Sequence, residues 1–125
     1  MAKIEAMEGT PTYLLAEDDA DICDLVRLGL RINGLSATIV RDGLAAAELA
    51  TEQPFALIML DRHMPKMDGM KAAHLIRTSA LNEQTPILFL SGDNFETDEI
   101  ENSYLLEKPF TVGELVMKIR QLSAD

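Results

Sequence analysis

Five short apolar runs recur along this chain of 125 residues, at Tyr13–Ala16, Ala37–Val40, Phe55–Leu60, Ile87–Leu90 and Tyr104–Leu106. Each is continuous rather than alternating, and each is about the length of a strand buried on both faces. Helical patterns fill the gaps between them. Ile22, Leu25, Val26 and Gly29 recur at i, i+3, i+4 and i+7, with Asn33-Gly34 as a stop. A second helix begins at Leu44 and ends before Pro54, and a third carries Met70, Ala73, His74 and Arg77. Val112, Leu115, Val116, Ile119 and Leu122 form one apolar stripe on the last. The segment Glu96–Ser103 is short and acidic, with Ile100 as its one obvious core residue. Strand and helix alternating five times predict a three-layer α/β domain built on a parallel sheet.

Residues 1–11 read as a flexible N-terminal arm, and 12–125 as one domain. Eleven Lys and Arg against 21 Asp and Glu give a formal net charge of −10, which repels phosphate backbones and argues against direct nucleic-acid binding. Cys23 is the single cysteine, so no intramolecular disulfide can form. No apolar run approaches the ~18 residues of a membrane span, and the first twelve residues lack the apolar centre of a secretory signal. These features predict a cytoplasmic domain without membrane contact.

In open parallel sheets, ligands bind outside the carboxyl ends of the strands. There the sequence puts Glu17-Asp18-Asp19 after the first run, Asp61 after the third, Ser91-Gly92 after the fourth and Glu107-Lys108-Pro109 after the fifth. Clustered carboxylates repel one another unless a cation neutralises them. Hard oxygen ligands suit Mg²⁺. A carboxylate beside bound Mg²⁺ can attack phosphorus, and Lys108, the Ser91 hydroxyl and backbone N–H groups near Arg62 and Gly92 are suited to the charge that phosphoryl transfer develops.

Four segments carry a family resemblance: Leu14-Leu15-Ala16-Glu17-Asp18-Asp19, Met59-Leu60-Asp61-Arg62-His63-Met64-Pro65-Lys66-Met67-Asp68-Gly69, Phe89-Leu90-Ser91-Gly92 and Glu107-Lys108-Pro109-Phe110. Taken in this order, from about Tyr13 to Leu122, they resemble the response regulator receiver domain of two-component signalling, the CheY-like family. The resemblance implies a flavodoxin-like (βα)5 doubly wound sheet of order 2-1-3-4-5. It implies Asp61 as phosphoacceptor, and Glu17, Asp18, Asp61 and the His63 backbone carbonyl as Mg²⁺ ligands. Ser91 and Lys108 would contact the phosphoryl group, together with backbone N–H groups at Arg62 and Gly92. His63 and Asp93 would tune dephosphorylation, and Pro109 would follow a cis bond. The implied partners are a histidine kinase or a histidine phosphotransfer protein, plus a downstream protein that the sequence does not name. The only chemistry implied is self-phosphorylation and dephosphorylation, not turnover of a separate substrate. The chain ends soon after its last helix, so no DNA-binding or catalytic output domain is expected within it.

Plainer readings compete at several positions. Asp19 is read as a helix cap, Asp68-Gly69 and Gly43 as turns, Cys23 as core packing, His74 as an exposed helix residue and the seven methionines as gap-fillers. No second His or Cys stands at ligand spacing from His63, so its ring is not expected to bind metal. An aspartyl phosphatase of the haloacid dehalogenase class would need an acid two residues after the nucleophile, where this chain has His63. A binding module that keeps the fold without being phosphorylated would not need Asp61, Lys108 and the acidic pair together.

Two departures from the family pattern fall near the fifth run. Ser91 and Lys108 are 17 residues apart (108 − 91), too few for a full helix between the fourth and fifth strands, which is therefore expected to be short or irregular. The switch aromatic of the family, three residues before the lysine, is replaced by Leu105, with Tyr104 one residue earlier and on the opposite face of a strand.

Overall fold

The computed structural model describes residues 12–123, so the expectation of a flexible arm at 1–11 lies outside the described residues. The elements are β1 (Tyr13–Ala16), α1 (Ala20–Ile32), β2 (Ala37–Val40), α2 (Gly43–Glu52), β3 (Leu57–Asp61), α3 (Gly69–Arg77), β4 (Ile87–Ser91), β5 (Ser103–Glu107) and α4 (Val112–Ser123). All strands run parallel, in the order β2-β1-β3-β4-β5. This is the flavodoxin-like, CheY-like architecture. The alternation of strand and helix breaks once: residues 92–102 cross from β4 to β5 as turns and extended chain, without an α-helix. The 17-residue spacing leaves too little chain for one.

The central strands β1, β3 and β4 are buried on both faces because alternate side chains feed two separate cores, whereas the edge strands β2 and β5, which the sequence also predicts as covered on both faces, are half-buried with Thr38 and Tyr104 exposed. Leu14, Ile58, Leu60, Ile87 and Phe89 pack with Ala46 and Ala50 of α2 and Ala72, Ala73 and Ile76 of α3. Tyr13, Leu15, Leu57, Met59, Leu88 and Leu90 pack with Val26 and Leu30 of α1 and Leu115 and Ile119 of α4. Alanines on α2 and α3 let those helices lie close to the sheet. Cys23 is buried, with its thiol on Glu17 O at 3.3 Å.

Short acidic caps start the helices at the site edge. Asp19 accepts from Asp21 N–H at 2.9 Å and Ile22 N–H at 3.3 Å, Asp42 from Ala45 N–H at 2.8 Å and Asp68 from Lys71 N–H at 2.8 Å. Gly43, expected in a turn, is instead the first residue of α2 behind the Asp42 cap. Position 69 is the first residue of α3, also inside a helix rather than a turn.

At the opposite edge Asn82 is fully buried, and the apolar periodicity gives no sign of it. Its side chain accepts from Phe55 N–H and the Thr85 hydroxyl, both at 2.9 Å, and donates to Ala50 O at 2.7 Å and Gln53 O at 2.9 Å. Asn82→Ala strands the Phe55 N–H and the Gln53 carbonyl, while Ala50 O keeps the Ser79 hydroxyl at 3.0 Å. The expected loss is about 2 kcal/mol, read as a lower urea midpoint with unchanged slope.

Candidate phosphoacceptor site

The parallel register brings the carboxyl ends together. Ala16 pairs with Leu60, so the next residues on those two strands, Glu17 and Asp61, lie side by side. Asp61 in turn pairs with Leu90, and Ser91 with Glu107. Glu17 is 0%, Ser91 1% and Asp61 6% exposed, whereas Asp18 is open to solvent. Carboxylate oxygens of Glu17, Asp18 and Asp61 all lie within 4.8 Å of one another.

Lys108 reaches into this cluster. Its ammonium donates to Asp61 Oδ1 at 3.2 Å and lies 3.0 Å from Glu17 Oε1. Glu17 Oε2 accepts from Asp19 N–H at 3.1 Å, but Oε1, though beside the ammonium, has no aligned hydrogen-bond donor. Burial pushes Glu17 up from 4.5 to about 7; the Asp61 charge adds to the rise, while Lys108 and the Asp19 N–H oppose it. Burial alone would lower Lys108, but Glu17 and Asp61 outweigh it and hold the ammonium above its ordinary range.

The buried Glu17 Oε1, which faces the ammonium without an aligned hydrogen bond, and the three converging carboxylates fit a small hard cation of the Mg²⁺ type. The sign of the pH effect follows. The folded state binds the Glu17 proton more tightly than the unfolded chain does. The stability this confers is complete below about 4.5 and is lost as pH rises through about 7. The cation-free domain is therefore expected to lose on the order of 3 kcal/mol between pH 4.5 and pH 8 from this group. Urea unfolding across that range checks it: Mg²⁺ at pH 8 should restore the midpoint, and Glu17→Gln should flatten the profile.

The backbone donors differ from the sequence expectation at one position. Arg62 N–H does not face the carboxylate, because it is spent on Leu90 O at 3.1 Å, continuing the β3–β4 ladder. His63 N–H takes that place, 3.4 Å from Asp61 Oδ1. Gly92 is exposed at the end of β4. Ser91 Oγ accepts from Asp93 N–H at 3.0 Å, and Ser91 O accepts from Lys108 N–H at 2.7 Å. The Lys108–Pro109 bond is cis. The His63 ring and the Asp93 carboxylate form an exposed pair at 3.6 Å.

At the two positions compared with the family's switch aromatic, Leu105 packs into the α2–α3 core, while Tyr104 is exposed and donates to Asn102 Oδ1 at 2.7 Å. The aromatic that does pack on this side is Phe95, which no sequence motif singles out. Its ring meets Phe89 edge-on with centroids 5.3 Å apart, and the Arg62 guanidinium lies 4.2 Å over it. The available signal is that Phe95 is the one aromatic between Ser91 and Ser103. Arg41 is equally unmarked in the sequence; it donates to Asp18 O at 2.9 Å from the end of β2. His74 is exposed, as expected, and pairs with Glu99 at 3.1 Å.

A parallel five-stranded sheet with buried acids, a hydroxyl and a lysine at its carboxyl edge defines a class, and comparison with known proteins gives the family. The sequence model of the response regulator receiver domain matches residues 13–120. The transcriptional regulatory protein PrrA of Mycobacterium bovis is 31% identical over 119 residues, 90% of this chain but 50% of PrrA. The chain thus spans about half the length of PrrA. The response regulator receiver protein CpdR of Brucella abortus is 32% identical over 114 residues, covering 87% of this chain and 93% of CpdR. Among solved structures, the receiver domain of the sensor histidine kinase PA1611 from Pseudomonas aeruginosa was determined with a magnesium ion in its active-site cleft. It superimposes with a TM-score of 0.83 at 26% identity, over 93% of this chain and 99% of that one. This chain belongs to the response regulator receiver domain family of two-component signalling. Among the described residues, no helix is long and apolar enough to cross a membrane.

Proposed function

We propose that this domain takes a phosphoryl group from a phosphohistidine, on a histidine kinase or a histidine phosphotransfer protein, onto Asp61. An Asp61 carboxylate oxygen attacks phosphorus, the N–P bond breaks, and its electron pair returns to the donor imidazole. The product is an aspartyl acyl phosphate. Glu17, Asp18, Asp61 and the His63 carbonyl would hold Mg²⁺, which when bound neutralises charge on the phosphoryl oxygens. Lys108 supplies a fixed ammonium on the buried side. The Ser91 hydroxyl and the His63 and Gly92 N–H groups are the donors for the remaining oxygens. His63 and Asp93 stand at the open side, where they set how water reaches the acyl phosphate. The domain does not turn over a separate substrate; it works in the cytoplasm and passes its phosphorylation state to a partner protein.

The observation that carries this reading is the three converging carboxylates with Lys108 Nζ at 3.0 Å and 3.2 Å from two of them. Intact mass after incubation with acetyl phosphate tests it. One phosphate should be gained with Mg²⁺ and lost on treatment with hydroxylamine, and neither chelated protein nor Asp61→Asn should gain it. Uptake that ignores Mg²⁺ removal contradicts the reading.

A further inference from the structure

The corner between β2 and α2, Arg41-Asp42-Gly43, meets both loops that carry the acidic cluster. On one side it abuts the loop between β3 and α3. A Cβ at position 43 would overlap Met67 O and lie 3.2 Å from Asp68 O, so the two backbones are in direct contact. Lys66 Nζ lies 3.7 Å from Asp42 Oδ2, and Asp42 also caps α2 through Ala45 N–H at 2.8 Å. These contacts fix the base of Arg41. On the other side Arg41 Nη2 reaches across to Asp18 O at 2.9 Å.

The two neighbours of Asp18 are held by bonds of their own. Glu17 N–H donates to Val40 O at 3.0 Å, Asp19 N–H donates to Glu17 Oε2 at 3.1 Å, and Asp19 Oδ1 accepts from Asp21 N–H at 2.9 Å. Asp18 is exposed, and among the described residues the bond from Arg41 is the only hydrogen bond it makes.

We infer that Arg41 is a positioning residue for the cation site: its guanidinium holds the Asp18 backbone so that this carboxylate stands beside those of Glu17 and Asp61 before an ion arrives. The inference rests on the cation site of the phosphoacceptor reading and adds a residue to it. Ordering an exposed residue costs conformational entropy, and a ligand held in place beforehand spares the ion that cost. Mg²⁺ is sensitive to such placement because it demands near-octahedral geometry. Charge alone acts in the opposite sense. A guanidinium near a divalent cation repels it, so a neutral side chain at position 41 would tighten Mg²⁺ if charge were all that mattered. The sign of the change therefore separates positioning from plain electrostatics.

Calorimetric titration of MgCl₂ into the cation-free protein at pH 8 tests the role of Arg41. Arg41→Met should bind Mg²⁺ about fivefold more weakly than the wild type, equivalent to about 1 kcal/mol. Arg41→Gln, neutral and too short to reach Asp18 O, should show a similar loss. Cooperative urea unfolding in EDTA establishes that each variant is titrated in its folded state, and if Arg41→Met does not fold, Arg41→Gln carries the test. Arg27→Met is the control for charge. Arg27 is exposed, pairs with Asp24 at 3.1 Å and makes no bond to the acidic cluster, so its removal should leave Mg²⁺ affinity unchanged or slightly higher. Wild-type or tighter binding in the Arg41 variants, or an equal loss in Arg27→Met, overturns the role of Arg41. The wild-type titration separates the two claims. Mg²⁺ binding that does not respond at position 41 removes the positioning role alone, and a wild type that binds no Mg²⁺ removes the cation site as well.

Discussion

Lys108→Ala is expected to destabilise the cation-free domain by about 3–4 kcal/mol at pH 8 and to cut phosphoryl uptake at Asp61 by at least about tenfold. The ammonium is the charge that Glu17 and Asp61 share, at 3.0 and 3.2 Å, and those residues are 0% and 6% exposed. Removing one partner of a buried ion pair strands the others in a medium that solvates charge poorly. Two signatures separate this from loss of packing. The destabilisation should shrink at pH 5.5, where Glu17, already pushed up to about 7, carries a proton. It should also shrink with Mg²⁺, which supplies the missing positive charge. Urea unfolding at the two pH values, with and without Mg²⁺, measures both. A loss that is constant across all four conditions would mean that Lys108 acts as a hydrocarbon spacer.

Gly69→Ala is the second large effect. A Cβ at position 69 would lie 2.3 Å from Asp61 O and 3.1 Å from the Arg62 Cα, both backbone atoms that cannot swing aside. The first turn of α3 is seated against the strand end that carries Asp61, with Gly69 N–H bonded to Arg62 O at 2.8 Å. An alanine must therefore push the helix start away from β3 or tilt Asp61. The expected cost is about 2–3 kcal/mol, with phosphoryl uptake reduced about tenfold in whatever protein remains folded. An alanine variant with wild-type stability and uptake would mean that the two segments separate freely.

The sheet was legible because strands covered on both faces cannot alternate polar and apolar residues. Runs such as Leu57–Leu60 and Ile87–Leu90 are therefore continuous, and the chemistry-bearing residues stand where those runs stop. The register then does the assembly. Once β1 and β3 are neighbours, Glu17 and Asp61 have to meet. The short crossover was legible as a count of residues, but its conformation was not. Its apolar anchors are Phe95 and Ile100 alone, and two apolar residues five positions apart define neither a strand nor a helix period. The choice between Arg62 and His63 as backbone donor also lay beyond the sequence. It depends on the β3–β4 ladder running one bond past Asp61, and no side chain records that. Asn82 escaped for a related reason, since a buried amide reads as a loop residue until its four partners are in place.

The residue that carries the phosphate is the most direct test. After labelling with acetyl phosphate and Mg²⁺, borohydride reduces an aspartyl phosphate to homoserine, and peptide sequencing by mass spectrometry reads its position. Homoserine is expected at position 61 and at no other aspartate position. Homoserine at Asp18 or Asp93, or a phosphate that stays on Ser91 or His63, would contradict it.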